Sequence, residues 1–269
     1  MSLKGKVVAI TRPAEDAQAL VRLVRRYDGK PYVAPTIEVL SPKSQNALTA
    51  FIERFLDKPH DFVVFMSKNG IRNLFWTAER YQLSEKLRTR LNSSFILVVG
   101  PTTAKELDKF GIRSHRMPEE FSSRGLVKFF RKLDIKNRRI CLFRADKVTD
   151  FLKKNLTELG ASIDEVAAYR VSVPRRTHHI RRLIENMLAG KIDIITFTSS
   201  ATVRNLFEIA QKRNLSSQLR KTLNKKTVVA IGPVTAKTLQ DFEVSVTVMP
   251  SEHTVEAMMN ALITYLGSS

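Results

Sequence analysis

Short runs of β-branched and aromatic residues alternate along the chain with stretches in which apolar positions return every three or four residues. The first kind marks a buried strand and the second an amphipathic helix. The first half predicts strands over 7–11, 32–40, 62–66, 95–99 and 113–117; the second predicts them over 139–143, 162–171, 192–197, 228–231 and 244–249. Helices follow the strands of the first half. One covers 14–27 with Leu20, Leu23 and Val24 on a single face, and others start near Ser44, Asn69, Thr102 and Ser122. Strand and helix alternating at this spacing predict parallel sheets with right-handed crossovers, the α/β doubly wound class. The extended stretches 35–40 and 167–173 break the regularity, each running up to a proline, Pro42 and Pro174. They read either as a long strand plus a loop or as paired linkers that leave one sheet for the other lobe.

The chain also repeats itself. A shift of 132 residues lays Asp61-Phe-Val-Val-Phe-Met-Ser-Lys-Asn-Gly-Ile-Arg-Asn-Leu-Phe75 on Asp193-Ile-Ile-Thr-Phe-Thr-Ser-Ser-Ala-Thr-Val-Arg-Asn-Leu-Phe207, with seven of fifteen positions identical. The same shift lays Val99-Gly-Pro-Thr-Thr-Ala-Lys105 on Ile231-Gly-Pro-Val-Thr-Ala-Lys237, and Val8-Ala-Ile-Thr-Arg12 on Ile140-Cys-Leu-Phe-Arg144. One shift that works in separated places implies two structurally equivalent halves.

Composition narrows the class. With 43% hydrophobic and 26% charged residues, the 269-residue chain can build two cores of ordinary size and is too apolar to be disordered. No apolar run reaches the roughly 18 residues that span a bilayer, and the N-terminal segment does not read as a secretory signal. Cys141 is the single cysteine and makes no internal disulfide, so a cytoplasmic location is expected. The formal charge of +19 changes the picture more. It is spread over both halves and favours a polyanionic partner: nucleic acid, an anionic surface, or a small molecule with many carboxylates or phosphates. The plainer reading is a solvated surface or a general bias toward lysine and arginine.

Open α/β sheets bind ligands beyond the carboxyl ends of their strands, where helix N-termini present free N–H groups. Ser67 and Ser199 stand there, as do Thr103 and Thr235 after the Gly100-Pro101 and Gly232-Pro233 turns. Each hydroxyl can cap its helix or hold an anion against the same dipole, and capping is the plainer role for any one alone. Four of them on matching edges favour a shared ligand surface. Arg12 and Arg144 end the first strand of each half, where a guanidinium either grips a carboxylate ligand or pairs with a neighbouring acid. Tyr169 offers a phenol at a domain junction, to be weighed against simple packing, and Trp76 reads as packing. No phosphate-cradling loop, dinucleotide fingerprint or zinc-ligand spacing is present, and Cys141 reads as a buried small residue rather than a nucleophile.

Taken in order, Thr11-Arg12-Pro13, Pro35-Thr36-Ile37-Glu38, Phe65-Met66-Ser67-Lys68-Asn69-Gly70, Val99-Gly100-Pro101-Thr102-Thr103-Ala104, Val166-Ala-Ala-Tyr169-Arg170, Phe197-Thr198-Ser199-Ser200 and Ile231-Gly232-Pro233-Val234-Thr235-Ala236 resemble the uroporphyrinogen-III synthase family over essentially the whole chain. Lys68 and Ser200 depart from it where a proline is common, and Val234 replaces a frequent threonine. The resemblance implies two similar flavodoxin-like α/β domains joined by a two-stranded linker near 35–42 and 167–174. One would be discontinuous, 1–36 plus 174–269, and the other would span 37–173. It implies closure of the linear tetrapyrrole hydroxymethylbilane to uroporphyrinogen III, with loss of water and inversion of the last pyrrole ring through a spiro intermediate. No cofactor or metal is used, and a monomer is expected. The family's proton-donating tyrosine matches Tyr169. Thr11, Arg12, Ser67, Lys68, Thr103, Thr198, Ser199, Gly232 and Thr235 are the expected substrate contacts. The rival expectations are a regulatory protein that binds nucleic acid and a non-catalytic two-lobed protein that binds a polyanion. Against the first stand the missing recognition-helix motif and aromatic-rich RNA-binding strand.

Overall fold

The computed structural model describes residues 2–42, 44–146 and 148–268. In chain order the elements are β1 (Val7–Ile10), α1 (Ala14–Arg26), β2 (Lys30–Val33), β3 (Glu38–Leu40), α2 (Gln45–Asp57), β4 (Phe62–Phe65) and α3 (Lys68–Arg80). There follow α4 (Ser84–Asn92), β5 (Phe95–Val98), α5 (Pro101–Asp108), α6 (Ser123–Phe130), β6 (Arg139–Ala145), α7 (Phe151–Glu158) and β7 (Ser162–Ser172). The last are α8 (His178–Leu188), β8 (Ile194–Phe197), α9 (Ser200–Gln211), α10 (Ser216–Leu223), β9 (Thr227–Ala230), α11 (Pro233–Asp241) and α12 (Val255–Gly267). Two compact units result, Met1–Glu38 with Ser172–Ser269, and Val39–Val171.

In the first unit the strands run β2-β1-β8-β9, with parallel pairing throughout. Alternate residues of β1 serve opposite faces, as the strand period of two requires. Val8 and Ile10 pack with α1 and α12, and Ala9 packs with α8 and α9. In the second unit the order is β3-β7-β6-β4-β5. Val64, Leu97 and Leu142 meet α6 and α7 on one face, while Phe65, Val98 and Phe143 meet α2 and α3 on the other. Both are doubly wound α/β sheets.

The 132-residue repeat and the units divide differently. Under that shift β1, β2, β4 and β5 correspond to β6, β7, β8 and β9. The first unit therefore takes β1 and β2 from one repeat and β8 and β9 from the other, and the second unit does the reverse. Each acquires the flavodoxin-like order 2-1-3-4, whose direction reverses between β1 and β8 in one and between β6 and β4 in the other. Some residues shared by the repeats turn out to be structural. Asp193 Oδ2 accepts from the Val7 N–H and Asp61 Oδ2 from the Arg139 N–H, both at 2.8 Å. Each ties one strand start to its neighbour at the edge opposite the carboxyl ends.

Some expected elements change. The single strand over 32–40 is two, β2 and β3, in different sheets: the chain leaves the first sheet beyond Val33, with the Ala34 and Thr36 N–H groups still bonded to the Ile10 and Thr11 carbonyls. The strands expected over 113–117 and 244–249 shrink to single parallel bridges, Leu97 to Arg116 and Val229 to Val248. Trp76 is not core packing: it is 46% exposed on α3, with the Arg80 guanidinium 5.6 Å from its ring. No helix is long and apolar enough to cross a membrane, among the described residues.

Candidate functional site

In the second unit the carboxyl edge is set on an aromatic floor. Phe65 at the end of β4 stacks on Phe143 of β6 with centroids 4.9 Å apart, and Phe51 and Phe55 of α2 meet Phe143 edge-on. Beyond Phe65 the chain turns at Ser67, whose extended backbone makes it the N-cap of α3 and whose hydroxyl accepts from the Gly70 N–H. Between β6 and β7 the register slips: Arg144 pairs with Ala167, but Ala145 pairs with Tyr169. The extra residue, Ala168, is a bulge, and a bulge re-aims the side chains after it. Ala168 and Tyr169 accordingly lie consecutively in the core instead of alternating. Tyr169, 9% exposed, is hydrogen-bonded to the Ser67 side chain, and its carbonyl accepts from the Asp146 N–H at 2.9 Å.

Burial raises the Tyr169 pKa, opposed by the Ser67 hydrogen bond and the Arg144 charge and assisted by the Asp146 charge. The result is a phenol held in its protonated form. Arg144 is committed elsewhere: Nη1 donates to Glu165 Oε1 and Nη2 to the Thr149 carbonyl, each at 3.0 Å. It pairs with a neighbouring acid, which resolves the choice its sequence position leaves open. Two polar atoms here are buried without a hydrogen-bond partner among the described residues, Arg144 Nε and Asp146 Oδ1.

The matching edge of the first unit is built from threonines. The Thr11 hydroxyl donates to the Thr196 carbonyl at 2.8 Å, that of Thr196 to Ala9, and that of Thr36 to Thr202. Thr11 is thus a fully buried cross-strand tie, and its hydroxyl is spent inside the fold. Arg12, next in the chain, has a buried Nε with no acceptor among the described residues. Desolvation lowers its pKa, against the pull of Asp16 and Glu256. The repeat explains why it differs from Arg144: the position matching Glu165 is Val33. Ser199 repeats Ser67, with the same backbone angles and its hydroxyl accepting from the Thr202 N–H. Thr198 precedes it, partly exposed, and Lys68 follows Ser67 as the first residue of α3.

The threonines after the Gly-Pro turns behave differently. The N-caps of α5 and α11 are Gly100 and Gly232, so Thr103 and Thr235 do not cap. Thr103 is 2% exposed and donates its hydroxyl to the Val99 carbonyl at 2.8 Å, and Thr235 is 4% exposed. Gly100 has φ +90, which favours glycine. Gly232 is extended, and there a Cβ would come 2.9 Å from the exposed ring of His253. The structure therefore gathers Ser67 and Tyr169 with Arg144 and Asp146 in one unit, and Arg12, Thr198, Ser199 and Gly232 on the edge of the other. Asp146 and Glu165 were missed in the sequence. Their only signal is that the repeat places Ala14 and Val33 opposite them.

The family model for uroporphyrinogen-III synthase HemD matches residues 18–260. The chain belongs to the uroporphyrinogen-III synthase family. A protein of Methanothermobacter thermautotrophicus whose name carries that synthase is 32% identical over 260 residues, covering 97% of this chain and 98% of its own length. The uroporphyrinogen-III synthase of Chlorobaculum parvum is 26% identical, with 91% and 93% covered. A mutant uroporphyrinogen III synthase from Thermus thermophilus superposes with a TM-score of 0.70 at 21% identity, covering 98% of this chain and all of that one, which supports the shared fold. Among the described residues of this family member, no group of three or more His, Cys, Asp and Glu side chains could hold a metal ion.

Proposed function

We propose that the chain is a uroporphyrinogen-III synthase, a lyase that closes hydroxymethylbilane to uroporphyrinogen III with loss of water and inversion of ring D. The observation that carries the reading is the Tyr169 phenol, kept protonated by burial at the carboxyl edge and steered there by the bulge at Ala168. In this reading the nitrogen lone pair of the first, hydroxymethyl-bearing ring breaks the C–O bond, and Tyr169 protonates the departing hydroxide to water. The cationic carbon then forms a C–C bond to the substituted carbon of the last ring. The spiro intermediate opens and recloses with the last ring inverted, and the ring proton lost at the end returns to the phenolate.

Because the lone pair drives departure, the heaviest task is orientation, which is worth up to roughly 7–11 kcal/mol in well-organised cases. The +19 chain would concentrate a substrate with eight carboxylates by steering. Arg12, whose guanidinium has no Glu165 counterpart, would grip one of them through charge-assisted hydrogen bonds. Partly exposed Ser67, Thr198 and Ser199 would meet others. Thr11 and Thr103 would act by shaping the strand ends, since their hydroxyls are bonded within the fold. The reading takes no cofactor and places a monomer in the cytoplasm.

The test is Tyr169→Phe with freshly prepared hydroxymethylbilane. General acids contribute roughly 10²–10⁴-fold, and the lone-pair assistance puts this one at the low end. Turnover should fall about 10²-fold while product affinity changes far less. Unchanged turnover would remove Tyr169 from the chemistry.

A further inference from the structure

Asp146 is the first residue beyond β6, at the point where the strand order of the second unit reverses. Ligands of open α/β sheets sit at such reversals. The same bulge that aims Tyr169 joins the Asp146 N–H to the Tyr169 carbonyl, so the two side chains leave one short stretch of paired backbone. Oδ1 of Asp146 is sealed from solvent and has no donor among the described residues. The neighbouring guanidinium does not relieve it, because Arg144, 3% exposed, spends Nη1 on Glu165 and Nη2 on Thr149. The Arg144–Glu165 pair neutralises itself and leaves the Asp146 charge, among the described residues, as the unmatched one beside the phenol.

An uncompensated carboxylate is a liability in a site for a polyanion, since it repels every carboxylate the substrate carries. It becomes an asset when the reacting centre turns cationic, because a preorganised charge then acts on charge that develops only in the transition state. A linear tetrapyrrole presents N–H donors on its rings, and the ring that expels hydroxide acquires the positive charge on its nitrogen. We propose that Asp146, partly exposed, is a catalytic carboxylate whose outward oxygen accepts the N–H of the ring losing hydroxide. Its sealed Oδ1 keeps the group fixed in the fold, so that its charge offsets the one that ring acquires. The proposal rests on the cyclisation reading given above.

The experiment compares wild type, Asp146→Asn and Asp146→Glu in steady-state turnover of hydroxymethylbilane, with the far-UV circular dichroism of each recorded. Asp146→Asn keeps the shape and removes the charge. Its kcat should fall about 10²-fold, the scale of losing one preorganised electrostatic group. Its KM should stay equal or drop, because a repulsive charge has gone; that split marks an interaction made in the transition state. Asp146→Glu should recover at least a tenth of wild-type kcat. Spectrophotometric titration, with Tyr169→Phe as the blank, should show the Tyr169 phenol ionising at lower pH in Asp146→Asn. A kcat within threefold of wild type, a KM that rises along with a falling kcat, or an Asp146→Asn chain that does not fold would each overturn the proposal. A wild-type protein with no turnover at all would instead defeat the cyclisation reading beneath it.

Discussion

Two arginines at equivalent places in the repeat should respond to the same substitution in opposite ways. Arg144→Met removes a guanidinium whose side chain is 4% exposed and whose two 3.0 Å hydrogen bonds reach Glu165 and the Thr149 carbonyl. Breaking a buried pair by deleting one partner costs about 3–5 kcal/mol. The Glu165 side chain is 21% exposed, so water partly re-solvates it and the expected loss is about 2–4 kcal/mol. Arg12→Met removes a guanidinium whose buried Nε has no acceptor among the described residues and whose charge is disfavoured by desolvation. Relief of an unsatisfied buried donor, about 1–3 kcal/mol, offsets the lost attraction to Asp16 and Glu256. The net change should stay within about 1 kcal/mol of zero. Urea unfolding separates the two. Trp76, the single tryptophan, reports on the second unit, and circular dichroism follows both. In turnover the order reverses: Arg12→Met should raise KM about tenfold or more, the worth of a charge-assisted contact at about 1.5–3 kcal/mol. If Arg12→Met destabilises as much as Arg144→Met, the contrast between a spent and an available arginine is wrong.

Other consequences can be checked independently. His60 is 4% exposed with Nε2 2.6 Å from Asp164, and burial, the largest influence, lowers its pKa despite that carboxylate. The unfolded chain then binds the His60 proton more readily, so its contribution to stability is complete above about pH 6.5 and declines as pH falls toward the folded value. Urea midpoints should drop between pH 7.5 and 5, and less steeply in His60→Asn; parallel curves would refute the assignment. Gly125→Ala would place a Cβ 1.9 Å from the Glu120 carbonyl oxygen. Overpacking of this kind costs roughly 1–3 kcal/mol, which thermal denaturation should register as a lower midpoint. The Cys141 thiol is fully buried, and burial pushes its pKa up, so a thiol reagent should label it only in denaturant. Rapid labelling of the native protein would contradict the packing of β6.

Sequence pattern carried the architecture because its signals are local and repeated. Most of the apolar runs became strands, and Ser67 and Ser199 became N-caps because a hydroxyl before a helix has one geometry that satisfies an orphan N–H. What stayed hidden depended on register and on partners distant in sequence. Whether Arg144 is free was decided by Glu165, a residue on the next strand over. The aim of Tyr169 was decided by the Ala168 bulge, which leaves no mark in a run that reads as ordinary strand. Thr103 looked like a cap because it follows a turn, yet Gly100 holds that place and the hydroxyl folds back onto Val99. The repeat itself was legible in the residues, whereas the drawing of strands from both copies by each unit entered only through the family resemblance and is seen in the sheet order.

A chain that directs ring closure with inversion is identified by the isomer it produces. Freshly made hydroxymethylbilane is incubated with the protein, the products are oxidised to porphyrins, and the type III and type I isomers are separated by chromatography. Type III should dominate with the protein, and type I in its absence, where closure proceeds without inversion. Equal isomer proportions with and without the protein would contradict that directing role.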